Sequence, residues 1–288
     1  MSSNSPYQTD GCVDGLGNPL AKLSGAAAHC IVGHPPRRAR RLYAIWLRHV
    51  RVYSKNLISN ALPPFLEPII FLVGIGLGLG RYVGMMDGVP YIQFLATGLL
   101  VTAAMFTAAF ECSFGTYIRL EFDKVYDGML AAPMSVHDLL IGELLWAGTK
   151  GFFFTVSVMI VSTVAGILPL GSIMVAPLLG FLTGTMFGAL GFLVTSIVDN
   201  INQFNFLFSG LISPMFFFAG VVFPLETLPP VTRPITEILP LTHPVRLLRG
   251  ITTGSLGWIH LFDAIYLVLF SVLIGAWGIH RLKRKLVD

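Results

Sequence analysis

Glu111, Glu143 and Lys150 stand inside otherwise apolar stretches of this 288-residue chain. A charge left alone deep in a bilayer costs about 2.5 to 3.5 kcal/mol on insertion scales, so each of them must face protein or water. Glu143 and Lys150 are seven positions apart, two helical turns, and so share one face of a helix. Glu111 with Lys150 is a candidate ion pair between two helices. Catalysis is a poor fit for these groups. There is no phosphate-binding glycine loop, no nucleophile elbow, no His-rich metal helix and no pair of carboxylates in a solvated domain. His29, Cys30 and His34 offer metal-ligating atoms, but their spacing matches no standard site and a partner set is missing. The expectation is a chain with no catalytic residue and no bound metal. Its intramembrane charges are also too sparse for the acid and base relay of a proton-driven pump.

Composition sets the class of protein that must position these charges. With 54% hydrophobic and 12% charged residues, an ordinary soluble domain is nearly excluded, and a polytopic membrane protein is expected. Eight of the nineteen Lys and Arg precede Leu57 and four follow His280. Basic ends of this kind mark cytoplasmic termini rather than a nucleic-acid surface. Cys12, Cys30 and Cys112 give no disulfide framework. Residues 1–36, rich in Gly, Ser, Ala and Asn, read as a disordered cytoplasmic tail without the apolar core of a cleavable signal.

Residues 37–58 read as an amphipathic helix lying in the membrane interface, ahead of a membrane domain over 59–288. Leu42, Ile45, Trp46, Val50, Tyr53 and Leu57 share one face, and Arg41, Arg48, Arg51 and Lys55 gather on the other. Two roles are open for it: an elbow that anchors the first crossing, or a surface that also touches a cytoplasmic partner, with Trp46, Arg48 and Arg51 foremost. Six crossings follow, at about 61–79, 91–114, 139–168, 173–197, 204–223 and 259–279. Six return the chain to its starting side, with fourteen Lys and Arg inside, four outside and Lys150 within a span. Small residues at helical spacing, Gly74 with Gly78 and Gly180, Gly184 and Gly188, predict close helix packing. The fold class is all-α, with six transmembrane helices, the interface helix, and a re-entrant hairpin before the last crossing.

Two connections stand out. The inner loop 115–138 predicts a short helix with Phe122, Val125, Tyr126 and Met129 on one stripe. That stripe either fits a groove on a partner or packs against the chain's own helices. The outer segment 224–257 carries Pro224, Pro229, Pro230, Pro234, Pro240 and Pro244, which forbid one continuous helix, yet remains apolar. It reads as short helical pieces dipping into the membrane against protein. Within it Arg233 and Glu237, four apart, are placed to brace one turn.

The arrangement from Arg37 onward resembles the membrane subunit of type-2 ABC exporters. AGVVFPLETLP followed by LPLTHPVRLLR is similar to that family's signature, with Ala219 and Gly220 where a Ser-Gly pair is usual, and with His243 and Arg249 in place. RLEFDKVYDGMLAAPMSVHDLLIGELLWAGTKG resembles the inner loop of the nodulation protein J branch, which exports lipooligosaccharide signals. The resemblance implies a permease in the bacterial cytoplasmic (inner) membrane, both termini inside, as a homodimer joined to two copies of an ABC ATPase. ATP and Mg would bind that partner, and this chain would hold no cofactor. It further implies that Phe122, Val125, Tyr126 and Met129 couple to the ATPase, that Phe206, Phe216, Phe217 and Phe218 are candidates to line the path, and that Glu226, Arg233 and Glu237 sit at the outer gate. Any one of those phenylalanines is also open to facing lipid or packing internally. The implied cargo is an amphipathic lipooligosaccharide, glycolipid or polysaccharide. A drug or antibiotic efflux permease is the alternative, and a membrane-embedded transferase would need a cluster of acids or histidines that these residues do not supply.

Overall fold

A computed structural model describes residues 37–231 and 233–287. The tail 1–36, with His29, Cys30 and His34, lies outside the described residues. Five described helices are long and apolar enough to cross a membrane: Leu57–Val83, Tyr91–Phe122, Val136–Val164, Leu170–Thr195 and Trp258–Leu286. They are called the first, second, third, fourth and last spans below. The expected crossing at 204–223 is a shorter helical run, Phe204–Leu207, Phe208–Ile212 and Ser213–Phe218 in succession. It stops at Ala219, and Gly220 turns the chain with φ +82°, a value that favours glycine.

Burial ranks the spans. The most apolar window of the second is 78% buried, that of the fourth 61%, and those of the first and last 22% and 17%. The second and fourth therefore form the centre, with the third packed against both and the last against the fourth. The glycine seam on the fourth span is the reason it can approach so closely. A Cβ on Gly180 would come within 2.7 Å of Thr155 Cβ, and one on Gly184 would come 2.9 Å from the Ala147 carbonyl oxygen. Gly74 and Gly78 of the first span, by contrast, have open space around them within this chain.

The first span carries Pro63, Pro64 and Pro68, each lacking an amide donor, and its register widens to a π-helix over Leu72–Leu77 just beyond them. A two-residue hairpin, Met85–Met86 with Val89–Pro90, then turns the chain into the second span. Its turn residues, Asp87 and Gly88, both have positive φ, 53° and 76°, as a tight Asp-Gly hairpin requires.

The helix expected in the interface, called the interface helix below, is Arg38–Lys55. It runs alongside the start of the third span. Arg38 and Arg41 pair with Asp138 at 2.9 and 3.1 Å, Ile45 packs on Gly142, and the Trp46 indole N–H donates to Thr149 Oγ1 at 3.0 Å. Further along, the His49 ring stacks on Trp146 and Tyr53 meets Phe153 edge-on. Arg41, expected on the lipid-headgroup face, thus belongs to the docking face. Arg51 is exposed and Arg48 half-buried.

The proline-rich segment forms a one-turn helix Leu225–Thr227 and two helices, Arg233–Ile238 and Thr242–Thr253. The second ends at Gly254 in the left-handed conformation, φ 68°, where the Ser255 amide returns to the Gly250 carbonyl. Leu241, Val245 and Leu248 of this segment are buried, which explains how so apolar a connection is kept from water.

Candidate functional site

The second span stays helical beyond its apolar stretch, through two π-helical stretches, Glu111–Gly115 and Ile118–Phe122. In a regular α-helix residues eight apart are offset by roughly 80° around the axis. The wider π turns take up most of that offset, so Arg119 comes back over Glu111, its Nη1 donating to Oε1 at 2.7 Å. The same guanidinium donates through Nη2 to Glu143 of the third span at 2.8 Å, and Lys150 donates to the other oxygen of Glu111 at 2.8 Å. His49 of the interface helix completes the row, 2.8 Å from Glu143. An ionised carboxylate only accepts, so His49 Nε2 carries the proton in this contact.

Charges therefore alternate along one line, Lys150, Glu111, Arg119 and Glu143, and the His49 ring closes it with a hydrogen bond. The expected pair of Glu111 with Lys150 is present, while Glu143 turns to Arg119 and His49 rather than to a charge on its own helix. Glu143 is fully buried and Arg119 nearly so. Removing one member of such a buried pair costs about 3 to 5 kcal/mol, because the other charge is stranded. Ligand-type atoms of His49, Glu111 and Glu143 do lie within 4.8 Å of one another. Arg119 and Lys150 already occupy those carboxylates as counter-charges, so the set reads as an ion-pair network and not as a metal centre.

Arg119 also carries the network to the short helix of the inner loop. Arg119 Nε donates to the Tyr126 hydroxyl at 3.3 Å. Tyr126 lies in the short helix Val125–Leu130, which begins after Lys124 in the left-handed conformation, φ 49°. That reversal separates Phe122 from the helix, so the expected continuous stripe is broken. Phe122 ends the preceding segment and is exposed, Val125 and Met129 are half-buried, and Tyr126 is turned inward with 1% exposure. Tyr126 was expected among outward contacts; its hydroxyl instead finds the buried guanidinium. Burial, with Glu143 nearby, holds the Tyr126 phenol above its usual pKa, so it stays protonated at neutral pH.

The aromatic candidates divide. Phe216 is buried and meets Phe71 and Phe106 at ring distances of 5.7 and 6.1 Å, while Phe206, Phe217 and Phe218 are exposed. The run at 204–218 docks on the second span through other rings: Phe114 with Phe204 at 4.9 Å, Phe114 with Phe208, and Tyr117 with Phe204.

A second charged cluster lies at the opposite end of the bundle. Asp263 of the last span is fully buried, gripped by Arg246 through two hydrogen bonds of 2.9 and 2.7 Å and by His243 at 2.7 Å. Arg246 also forks onto both oxygens of Glu237, at 2.6 and 3.0 Å. Glu237 is thus bound by Arg246 rather than by Arg233, whose guanidinium donates to the carbonyls of Leu228 and Glu226. Glu226 is exposed. Arg119, His49, Asp138 and Asp263 were missed in the sequence. Asp263 could have been found by the rule that flagged Glu111, since it also stands in an apolar span.

Residues 40–252 match the ABC-2 type transporter family. The chain belongs to that family, and it is a multi-pass membrane protein. Among curated relatives it is similar to nodulation protein J of Sinorhizobium fredii, 33% identical over 60% of this chain and 66% of the relative. It is similar to nodulation protein J of Bradyrhizobium diazoefficiens, 32% identical over 62% of this chain and 69% of the relative. More distantly it is similar to the inner membrane transport permease YadH of Escherichia coli, 22% identical over 42% of this chain and 47% of the relative. The chain thus spans about two thirds of the length of the nodulation protein J relatives it matches.

Proposed function

We propose that this chain is the membrane-spanning permease subunit of an ATP-driven exporter that moves an amphipathic lipooligosaccharide, glycolipid or polysaccharide out across the bacterial inner membrane. ATP hydrolysis, with its Mg, belongs to a separate ABC ATPase, two copies of which join a homodimer of this chain. The observation that carries the reading is the contact of Arg119 with Tyr126. It ties a short helix on the inner face to side-chain contacts that join the helix Arg38–Lys55 and the second and third spans. A push on that helix is thereby felt by three elements at once. Phe122, Val125 and Met129 present the apolar surface that meets the ATPase, and Tyr126 passes the displacement inward.

In this account both termini are cytoplasmic, the run at 204–218 is the fifth of six crossings, and the segment 224–257 is re-entrant at the outer side. Phe206, Phe217 and Phe218 are free to line a path between two copies, and Phe216 anchors their helix. Glu226, Arg233 and Glu237 lie at the outer gate. The cargo class rests on similarity to nodulation protein J; drug or antibiotic efflux by the same architecture is the second reading. Membrane vesicles holding the chain with its ATPase separate them. ATP-dependent movement of a lipooligosaccharide into inverted vesicles supports the first, and movement of hydrophobic drugs without it replaces the first by the second.

A further inference from the structure

At the end of the bundle that carries the Asp263 cluster, a cavity of about 320 Å³ opens between the start of the second span, the turn at Gly220 and the helix Thr242–Thr253. Arg249 forms part of its wall. Its guanidinium carbon lies over the Phe94 ring, 3.5 Å from ring centre, and Nη2 donates to the carbonyls of Phe94 and Val221. Those contacts leave the charge unmet. Arg119, Lys150 and Arg246 each hold a carboxylate at less than 3 Å, whereas Arg249 has none within 4 Å among the described residues. Nε has no acceptor and Nη1 makes no hydrogen bond there either.

A second donor lines the same cavity. His260 Nδ1 accepts the Gly257 amide at 2.9 Å, so a neutral ring carries its proton on Nε2, which finds no acceptor among the described residues. The ring reaches this place because residue 250 is glycine: a Cβ there would fall within 2.2 Å of Nε2. Buried cations are stable only when closely paired, and among the described residues no carboxylate comes within ion-pair distance of Arg249.

We propose that this cavity is an anion-binding site in which Arg249, assisted by His260, takes a single oxyanion group, borne either by a lipid headgroup or by a free ion such as phosphate or sulfate. Asp87 and Glu226 line the cavity and are exposed, so they set a negative rim that opposes an entering anion and limits its affinity. Burial lowers the Arg249 pKa to about 9, Asp87 and Glu226 partly offsetting it, and the guanidinium stays protonated at neutral pH. The site does not depend on the export reading, because binding alone is at issue.

Thermal unfolding of the purified full chain in detergent tests it. Sodium phosphate and sulfate are compared with chloride at equal ionic strength, and dioctanoyl phosphatidylglycerol with dioctanoyl phosphatidylcholine. A saturable rise in Tm is expected with the free oxyanions, with the anionic lipid, or with both, and the responding arm names the source. Arg249→Gln weakens that response at least about tenfold, as loss of a charge-assisted contact does, and Arg249→Lys restores part of it. Should Arg249→Gln fail to fold, the double variant Asp87→Asn with Glu226→Gln carries the test, since both side chains are exposed. Relief of rim repulsion shifts the midpoint severalfold toward lower anion concentration. The proposal is overturned if neither oxyanions nor anionic lipid stabilise more than their controls, or if the rim variant leaves the midpoint unmoved.

Discussion

Arg119 and Glu143, twenty-four residues apart, meet at 2.8 Å inside the protein, and the glutamate is fully buried. The contact closes a row that also holds Glu111, Lys150 and His49, so three helical elements share one electrostatic unit. Coulomb attraction at such separations is strong only where water is excluded, and it serves to fix geometry as much as to stabilise.

Arg119→Met strands two carboxylates. A loss of about 3 to 5 kcal/mol is expected in thermal unfolding of the purified protein. In a cycle on the neighbouring pair, Glu111→Gln with Lys150→Met loses clearly less stability than the two single changes summed. Additive losses would mean that the 2.8 Å pair contributes no coupling.

Tyr126→Phe keeps the ring in its pocket and removes only the hydroxyl that accepts from Arg119. Stability changes by about 0.5 to 1.5 kcal/mol and assembly with the ATPase persists. Transport-linked ATP hydrolysis falls severalfold. Hydrolysis and transport both at the unmodified level would remove Tyr126 from the coupling route.

Gly142→Val drives a side chain into Ile45, because even a Cβ at residue 142 lies 2.7 Å from Ile45 Cγ2. The interface helix is expected to undock at a cost of about 1 to 3 kcal/mol, seen as faster proteolysis and a shifted Trp46 emission. Ile45→Ala in the same chain recovers much of the loss. No recovery would place the clash elsewhere.

Asp263→Asn withdraws the carboxylate shared by His243 and Arg246. The helix Thr242–Thr253 then loosens, and hydrogen exchange of its amides rises by about tenfold or more. Unchanged protection would show that apolar burial of Leu241, Val245 and Leu248 alone holds it.

Much of this architecture was legible because apolar length and proline placement act locally. The interface helix, the spans and the broken outer segment all follow from such signals, and the Glu111–Lys150 pair from the cost of unpaired charge. What stayed hidden depends on neighbours distant in sequence. Arg119 carries no local mark as a partner of Glu111: two π stretches turn it over that glutamate, and π geometry has no local signature here. Tyr126 shared a stripe with Phe122 on an unbroken helix; the left-handed Lys124 turned it to the core. Sequence spacing offers Glu237 a partner one turn away at Arg233, but tertiary packing supplies Arg246.

The central claim is that the inner-loop surface docks an ABC ATPase. The most direct measurement places a photo-crosslinking amino acid at position 122, in the full chain expressed in its own host, and identifies the adduct by mass spectrometry. The account predicts a covalent adduct with an ABC ATPase subunit, from complexes holding two copies of each. Adducts only with lipid or with other membrane proteins, and no ATPase in the purified complex, would contradict it.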